Sequence, residues 1–195
     1  MKYKLTEETK DLFGKTLHRI VCVTAFASVN VGDVGGWIES EKNLDQDGNA
    51  WVYGNAWVSG DAKVSGNAKV SGDAEVYGNA WVSGDAKVYG NAKVSGDAEV
   101  YGDAEVYGNA KVSGDAKVYG DAKVTKTSDY AVYKNTWSSM RYFTWTRSND
   151  KWAVGCFYGS GEELITKAYK DSELSGKCYE LVVNMRNALT KLEQA

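Results

Sequence analysis

Apolar residues recur at two fixed places in every six residues between positions 48 and 124. The unit Gly-[Asn/Asp]-Ala-x-Val-[Ser/Tyr] occurs thirteen times there without an insertion. Ala and Val are two residues apart, so in an extended chain they face one side and the residue between them faces the other. Gly followed by Asn or Asp suits a tight turn. The pattern therefore predicts one short strand and one turn per unit.

Three such units predict a three-sided coil of about 18 residues, stacked on its neighbours through parallel backbone hydrogen bonds. The thirteen units then make slightly more than about four coils. Lys beside Glu in neighbouring coils predicts solvated ion pairs, and Tyr89 with Tyr107 and Tyr101 with Tyr119 predict stacked rings. Stepping by 18 residues gives three outward columns: Trp51, Lys69, Lys87, Glu105 and Lys123; Trp57, Glu75, Lys93 and Lys111; Lys63, Trp81, Glu99 and Lys117.

This repeat resembles the hexapeptide repeat of left-handed parallel β-helices, with Val at the aliphatic inward position and Ala at the small one. Two further segments, "GDVGGWIESEKNLDQDGNAWVYGNA" with the preceding "KYKLTEET", and "WAVGCFYGSGEELITKA", are similar to bacterial and phage hexapeptide-repeat proteins, some of them named acyltransferases. The residues that follow the pattern of that group are Gly32, Gly35, Gly36, Trp37, Leu44, Gly48 and Trp51. The resemblance implies a mainly β protein built on a left-handed parallel β-helix.

The ends of the repeat define three regions: an N-terminal β cap at 1–47, the β-helix at 48–124 and a small α+β module at 125–195. In the module, aromatic and polar residues alternate, and a Ser-Asn-Asp turn at 148–150 predicts a hairpin of 141–147 with 151–157. Ser160 with Glu163 predicts a capping box that opens a helix. A last helix carries apolar residues at 181, 182, 185, 189 and 192. The module is therefore predicted to be ββαα.

Composition narrows the protein class. The formal net charge of −3 in 195 residues gives no basic surface for DNA or RNA. Three scattered cysteines without a CxxC pair indicate reduced thiols. The charged N-terminus lacks the apolar core of a signal peptide, and no apolar run is long enough for a membrane span. These features predict a protein of the bacterial host cytoplasm.

Catalytic side chains are scarce. The resemblance implies acyltransferases that work as trimers with CoA between subunits, usually with a His base, but positions 48–124 contain no His. The sole His, His18, lies in the cap, and a single His excludes the three-His zinc site of γ-class carbonic anhydrases. Cys156 is a second candidate nucleophile without a neighbouring His, and we interpret it and His18 as packing or surface residues. No catalytic residue, metal ligand or cofactor is predicted.

Large aromatic residues at outward or terminal positions are the candidate binding residues, because exposed aromatics are enriched at interfaces. They are Trp51, Trp57, Trp81, Trp137, Trp145, Trp152 and Phe157. The alternative for the first three is that the terminal segments cover them.

The favoured function is a non-catalytic interaction or scaffold protein of phage or bacterial origin that presents a C-terminal binding module. The predicted partners are further copies in a homotrimer and a host protein or small nucleotide-like ligand, with inhibition of host defence as a hypothesis. The alternative is a CoA-dependent acyltransferase.

Overall fold

The computed structural model describes residues 1–193, and it is mainly β with two C-terminal helices. Three longer strands come first: β1 (Tyr3–Leu12), β2 (Lys15–Cys22) and β3 (Val34–Ile38). Thirteen two-residue strands follow, one per repeat unit, each made of the variable residue and the Val after it. They are β4 to β16 in order: Trp51–Val52, Trp57–Val58, Lys63–Val64, Lys69–Val70, Glu75–Val76, Trp81–Val82, Lys87–Val88, Lys93–Val94, Glu99–Val100, Glu105–Val106, Lys111–Val112, Lys117–Val118 and Lys123–Val124.

The short strands form three parallel sheets in which each strand pairs with the one 18 residues away. The orders are β4-β7-β10-β13-β16, β5-β8-β11-β14 and β6-β9-β12-β15. This pairing confirms the predicted β-solenoid and all three outward columns. The ladder also extends further back than the repeat does, because β3 pairs in parallel with β5 and Leu44 bridges to Val64. Each face therefore has five layers, and part of the segment predicted as a cap belongs to the first coil.

The solenoid core consists of the repeat's Ala and Val side chains, all fully buried. Glycine is required at the corners for two reasons. Gly84 has a φ of 70°, in the left-handed region, and a Cβ there would lie 2.9 Å from the backbone nitrogen of Gly102 in the next coil. Beside the glycines, Asn and Asp side chains bond from coil to coil, as from the Asn67 amide to Asp85 at 3.0 Å. The turn residues thus add a polar ladder to the backbone one.

Backbone polarity differs between the two ends of the solenoid. Most ladder N–H groups donate to the next coil, as Trp51 does to the Ala68 carbonyl at 3.0 Å. The first coil is thereby left mainly with free carbonyls and the last coil mainly with free N–H groups. At the N-terminal end the buried Lys2 ammonium donates to the carbonyls of Asp47, Gly48 and Ala50, the last at 2.9 Å. Donor side chains therefore cap this end.

At the C-terminal end, hydroxyl oxygens accept the free N–H groups. The Lys117 N–H donates to Thr144 at 2.8 Å, and the Lys123 N–H donates to Ser148 at 2.7 Å. Thr127 and Tyr130 accept in the same way from Lys111 and Ser113. The C-terminal module thus closes the solenoid with acceptors.

The C-terminal module has a four-stranded antiparallel sheet in the order β17 (Tyr130–Lys134), β18 (Tyr142–Thr146), β19 (Lys151–Val154) and β20 (Phe157–Gly159). The predicted hairpin is β18 with β19, and the sheet has two strands more than the ββαα prediction. Two helices follow, α1 (Gly161–Asp171) and α2 (Glu173–Leu192). Ser160 and Glu163 form the predicted capping box at the start of α1. In the described part of the chain, neither helix is long and apolar enough to cross a bilayer.

Candidate binding surfaces

The seven aromatic candidates do not form one site. Three are core residues with 1–2% of their surface exposed, namely Trp51, Trp145 and Trp152. Trp51 lies beneath the rings of Tyr3 and Phe26, at centroid distances of 6.1 and 5.5 Å. The N-terminal segment therefore covers Trp51, as in the alternative given for the outward tryptophans.

The other four candidates lie in three places. Trp137 and Phe157 are half-buried at the edge of the C-terminal core. Phe157 lines a polar pocket of about 200 Å³ together with Cys156, Arg141 and Lys167. Trp81 is 47% exposed on the side of the solenoid, where its indole N–H donates to Ser65 at 3.0 Å. Trp57 is buried, but it forms the floor of a separate cleft near the N-terminus.

Six outward charges of the solenoid pair with one another. Lys87 pairs with Glu105 at 3.1 Å, Lys93 with Glu75 at 2.8 Å and Lys117 with Glu99 at 2.5 Å. Each pair joins neighbouring coils, as the columns predicted. The Lys87 hydrogen bond is the main reason that the pKa of Glu105 lies below its usual value. These pairs are structural contacts of the faces rather than a catalytic constellation.

The tyrosines of the repeat also contact one another. Tyr89 and Tyr107 stack in parallel at 4.8 Å, as predicted, whereas Tyr101 and Tyr119 meet edge to face at 5.9 Å. The Tyr119 hydroxyl donates to Glu99, and burial followed by this bond raises the pKa of Tyr119.

The two candidate nucleophilic or basic residues lie far apart in the fold. His18 is half-buried on β2, opposite Thr9 of β1 and Ile38 of β3. Cys156 is exposed in the turn between β19 and β20. Within residues 1–193, the His, Cys, Asp and Glu side chains form no group of three suited to a metal ion.

A cleft that the sequence did not indicate lies between the tip of the β1–β2 hairpin and the solenoid face. We call it the hairpin cleft; its volume is about 310 Å³. Trp57 and Tyr77 stack at 5.5 Å with an interplanar angle of 19° and form its floor. The Phe13 ring at the hairpin tip lies 6.4 Å from Trp57. The residues that line the cleft are Leu12, Phe13, Lys15, Leu17, Trp57, Ser59, Glu75, Tyr77 and Lys93.

The last helix presents an apolar stripe to solvent. The stripe, which we call the α2 seam, comprises Leu174, Cys178, Leu181, Met185, Ala188 and Leu192. Its four large aliphatic side chains are 45–74% exposed. The side of α2 that packs on the module is formed by Tyr179, Val183 and Arg186. Of the apolar positions predicted for this helix, 181, 185, 189 and 192 thus face solvent, and Val182 is half-buried.

Comparison with known proteins gives one partial similarity. No protein-family model matches the chain. A stretch of 60 residues is 35% identical to "Uncharacterized acetyltransferase YdcK" of Escherichia coli (strain K12), covering 27% of this chain and 18% of that protein. The chain therefore spans less than a fifth of the relative's length. Together with the solenoid, this similarity confirms the resemblance to acyltransferase-like hexapeptide-repeat proteins.

Proposed function

We propose that the protein is a non-catalytic scaffold in which the rigid solenoid carries the C-terminal module and the α2 seam joins copies of the chain. The observation that carries the proposal is the seam itself. Its six residues follow the alternating three- and four-residue spacing of a heptad repeat, from Leu174 to Leu192 without a break. Along the helix this stripe is about 27 Å long.

The heptad spacing favours a helix as the partner. A stripe that repeats every 3.5 residues stays in contact with a second helix of the same spacing through knobs-into-holes packing. The chain supplies such a helix in another copy of α2. Since monomeric proteins seldom leave a contiguous apolar stripe in water, self-association through the seam is the partner choice that its composition supports.

Charges beside the seam favour a parallel arrangement. Lys177 and Lys191 occupy the same heptad position beside the seam. Each lies three residues after a seam residue, Leu174 and Ala188 respectively. An antiparallel pair with the seams aligned would place Lys177 opposite Lys191 of the other copy twice, whereas in a parallel pair Lys177 lies beside the apolar Val182 and the two lysines do not meet. A parallel assembly has cyclic symmetry, and we propose the homotrimer expected from the resemblance.

The solenoid supports the scaffold role because several of its outward side chains contact each other. Three ion pairs between coils and the Tyr89–Tyr107 stack occupy part of the polar and aromatic positions of the faces. Beneath these positions the Ala and Val core is fully packed, which suits a rigid support for the module. Recognition of a host protein, including inhibition of host defence in a phage setting, is an extension that rests on the resemblance of the terminal segments alone.

Light scattering on the full chain tests the assembly. We expect a trimer for the natural protein and a monomer for Leu181→Glu, because the charge would be buried between helices. Asn187→Glu is the matched control, since it adds the same charge to the exposed side of α2 away from the seam, and it should remain trimeric. A natural protein that is monomeric at about 100 µM, a concentration well above an ordinary dissociation constant, contradicts the proposal.

Cysteine chemistry tests the parallel direction. Parallel seams bring Cys178 of two copies into the same layer, so mild oxidation should give a covalent dimer that Cys178→Ser abolishes. Cys156 lies outside the seam, and Cys156→Ser should leave the crosslink unchanged. A trimer that never crosslinks through Cys178 would mean that the helices do not run parallel.

The alternative function is a CoA-dependent acyltransferase, which the name of the E. coli relative favours. It predicts release of free thiol from acetyl-CoA in the presence of an acceptor amine, and loss of that release in His18→Ala. Turnover that disappears with His18 would replace the scaffold proposal. Turnover that survives the substitution would require another base.

A further inference from the structure

We infer that the hairpin cleft is a binding site for an uncharged planar aromatic ring. The observation behind this assignment is a set of aromatic residues at the cleft, in which Trp57 packs with Leu17 and Trp37 while Phe13 stays exposed. Phe13, Trp57 and Tyr77 surround the space, with Leu12 and Leu17 as apolar walls. The volume of about 310 Å³ is at the lower end for small-molecule sites, so it suits one ring or a fused pair.

Phe13 is the residue that turn chemistry explains least. Leu12 pairs with Lys15 across a two-residue hairpin turn, in which Phe13 has a φ of 52° and Gly14 a φ of 75°. Such turns favour Asn, Asp or Gly at the first position, and a bulky residue there is strained. Phe13 also keeps 83% of its surface in solvent. An exposed aromatic ring in a strained turn, placed over a cleft, is suited to covering a ligand.

The floor of the cleft presents an aromatic face. Trp57 lies on β5, and Tyr77 directly follows the neighbouring strand β8. Their rings stack nearly parallel. Tyr77 occupies the repeat position that is filled by either Ser or Tyr, so the solenoid itself does not need the ring. Offset stacking on such a pair selects flat π-systems over aliphatic groups of similar size.

The rim of the cleft determines the charge of the ligand. Lys15 pairs with Glu39 at 2.7 Å, and Lys93 pairs with Glu75 at 2.8 Å. Both cations at the rim are therefore neutralised by a carboxylate, and no excess charge remains for a phosphate or carboxylate group. Ser59 adds a hydroxyl to the lining, which suits a heteroaromatic edge. A neutral ring such as indole or a purine base fits this chemistry.

Binding of small probes to the full chain tests the inference. Indole and adenine are the planar probes, and cyclohexanol is the non-planar control of similar size. By calorimetry and protein-observed NMR, at least one planar probe should bind with a Kd of about 1 mM or lower, as expected for a ligand of this size. Cyclohexanol should bind about tenfold more weakly or not at all.

Two variants keep the fold while they change the cleft. Phe13→Asn places a turn-compatible residue at the strained position, and Tyr77→Ser installs the other residue of that repeat position. Each should weaken the planar probe by about fivefold or more, because it removes one stacking surface. Tyr101→Ser is the matched control at the same repeat position, 52% exposed and outside the cleft, and it should leave the Kd within about twofold.

Three results would overturn the inference. The first is no binding of either planar probe at about 5 mM, a concentration at which a site of this kind should be largely filled. The second is equal binding of cyclohexanol, which would show a generic apolar surface. The third is an unchanged Kd in Phe13→Asn and Tyr77→Ser, which would place the probe elsewhere. None of these results depends on the assembly of α2.

Discussion

The first and last coils of the solenoid differ in the backbone groups that they leave without a partner in the ladder. At the N-terminal end, backbone carbonyls need donors, and Lys2, Asn43 and Arg19 provide them, with Asn43 contacting the Gly60 and Ala62 carbonyls at 2.9 and 2.8 Å. At the C-terminal end, N–H groups need acceptors, and hydroxyl oxygens from Thr144 and Ser148 provide them. All strands of the ladder run in the same direction, and the bonds beside the strands donate towards the next coil, so the difference follows from chain direction.

The two terminal segments are therefore caps of different chemistry that could not be exchanged. An exposed sheet edge templates further pairing, so each end has to be closed. The N-terminal end is closed by long cationic and amide side chains that reach over the first coil, together with an aromatic layer on Trp51. The C-terminal end is closed by short side chains on a packed antiparallel sheet. Each cap therefore suits one end of the ladder.

Removing the aromatic layer should give the largest effect on the N-terminal end. Trp51→Ala deletes a fully buried indole beneath Tyr3 and Phe26, and we expect a loss of about 3–5 kcal/mol in the free energy of unfolding. Trp81→Ala is the matched control, because it is a Trp at the same repeat position with 47% of its surface exposed. It should cost about 1 kcal/mol or less. Equal losses in urea unfolding would show that the N-terminal segment does not cover Trp51 in solution.

Removing the Lys2 ammonium group at the same end should give the next largest loss of stability. Lys2→Met keeps the aliphatic stem but removes the donor to three carbonyls, one of them in a buried bond to Ala50. The expected loss is about 2–3 kcal/mol, since a buried carbonyl is left without a partner. Lys4→Met, on the exposed side of β1, is the control and should be nearly neutral. Lys2→Glu should cost more than Lys2→Met, because a carboxylate would then face carbonyl oxygens.

Much of the solenoid could be predicted from the sequence, because its contacts repeat every 18 residues. The spacing of Ala and Val alone determines which side chains are buried and which outward residues become neighbours, as Lys87 and Glu105 do. The burial of Trp51 could not be predicted in this way. It depends on where Tyr3 and Phe26 fold back, and a contact so distant in sequence leaves no periodic signal.

The candidate surfaces were harder to predict for the same reason. Trp57 was singled out as an outward aromatic, but its cleft is completed by Phe13 from the hairpin, which has no repeat of its own. The apolar positions of α2 were identified, although periodicity alone does not say which side of the helix packs on the module. Strand β17 was missed because the residues that join it to β18 contain no short turn motif such as the one at 148–150. Strand β20 was missed because the predicted strand 151–157 continued through the turn at 155–156.

At the C-terminal end, a single hydroxyl tests the acceptor cap. Thr144→Val is nearly isosteric and removes the oxygen that accepts from the Lys117 N–H in a site with 1% exposure. We expect a loss of about 1–2 kcal/mol, smaller than at Lys2 because one donor rather than several acceptors is left unpaired. Thr136→Val in the exposed loop serves as the control. If Thr144→Val were neutral in thermal unfolding, the hydroxyl would not be an essential part of the cap.

Each end of the solenoid contains a carboxyl group with a lowered pKa, so acid should destabilise both ends. We expect this effect to be the smallest of the series. At the N-terminal end, hydrogen bonds from Lys15 and then from the Gly60 N–H hold the pKa of Glu39 below its usual value. At the other end, burial would raise the pKa of Asp129, but bonds from the Thr125 hydroxyl and from backbone N–H groups outweigh it and lower that pKa.

The sign of the effect follows from these directions. A carboxyl with a lowered folded-state pKa stabilises the fold at neutral pH, and its contribution is lost as the pH falls through about 4 and below. Unfolding temperatures measured from pH 7 to about pH 3 should therefore fall for the natural protein. Glu39→Gln and Asp129→Asn should each be less stable than the natural protein at pH 7, with a difference that narrows towards pH 3. A gap that stays constant with pH would mean that the carboxyl is not ionised in its bonds, and a gap that narrows for only one variant would assign the acid effect to the end where that carboxyl lies.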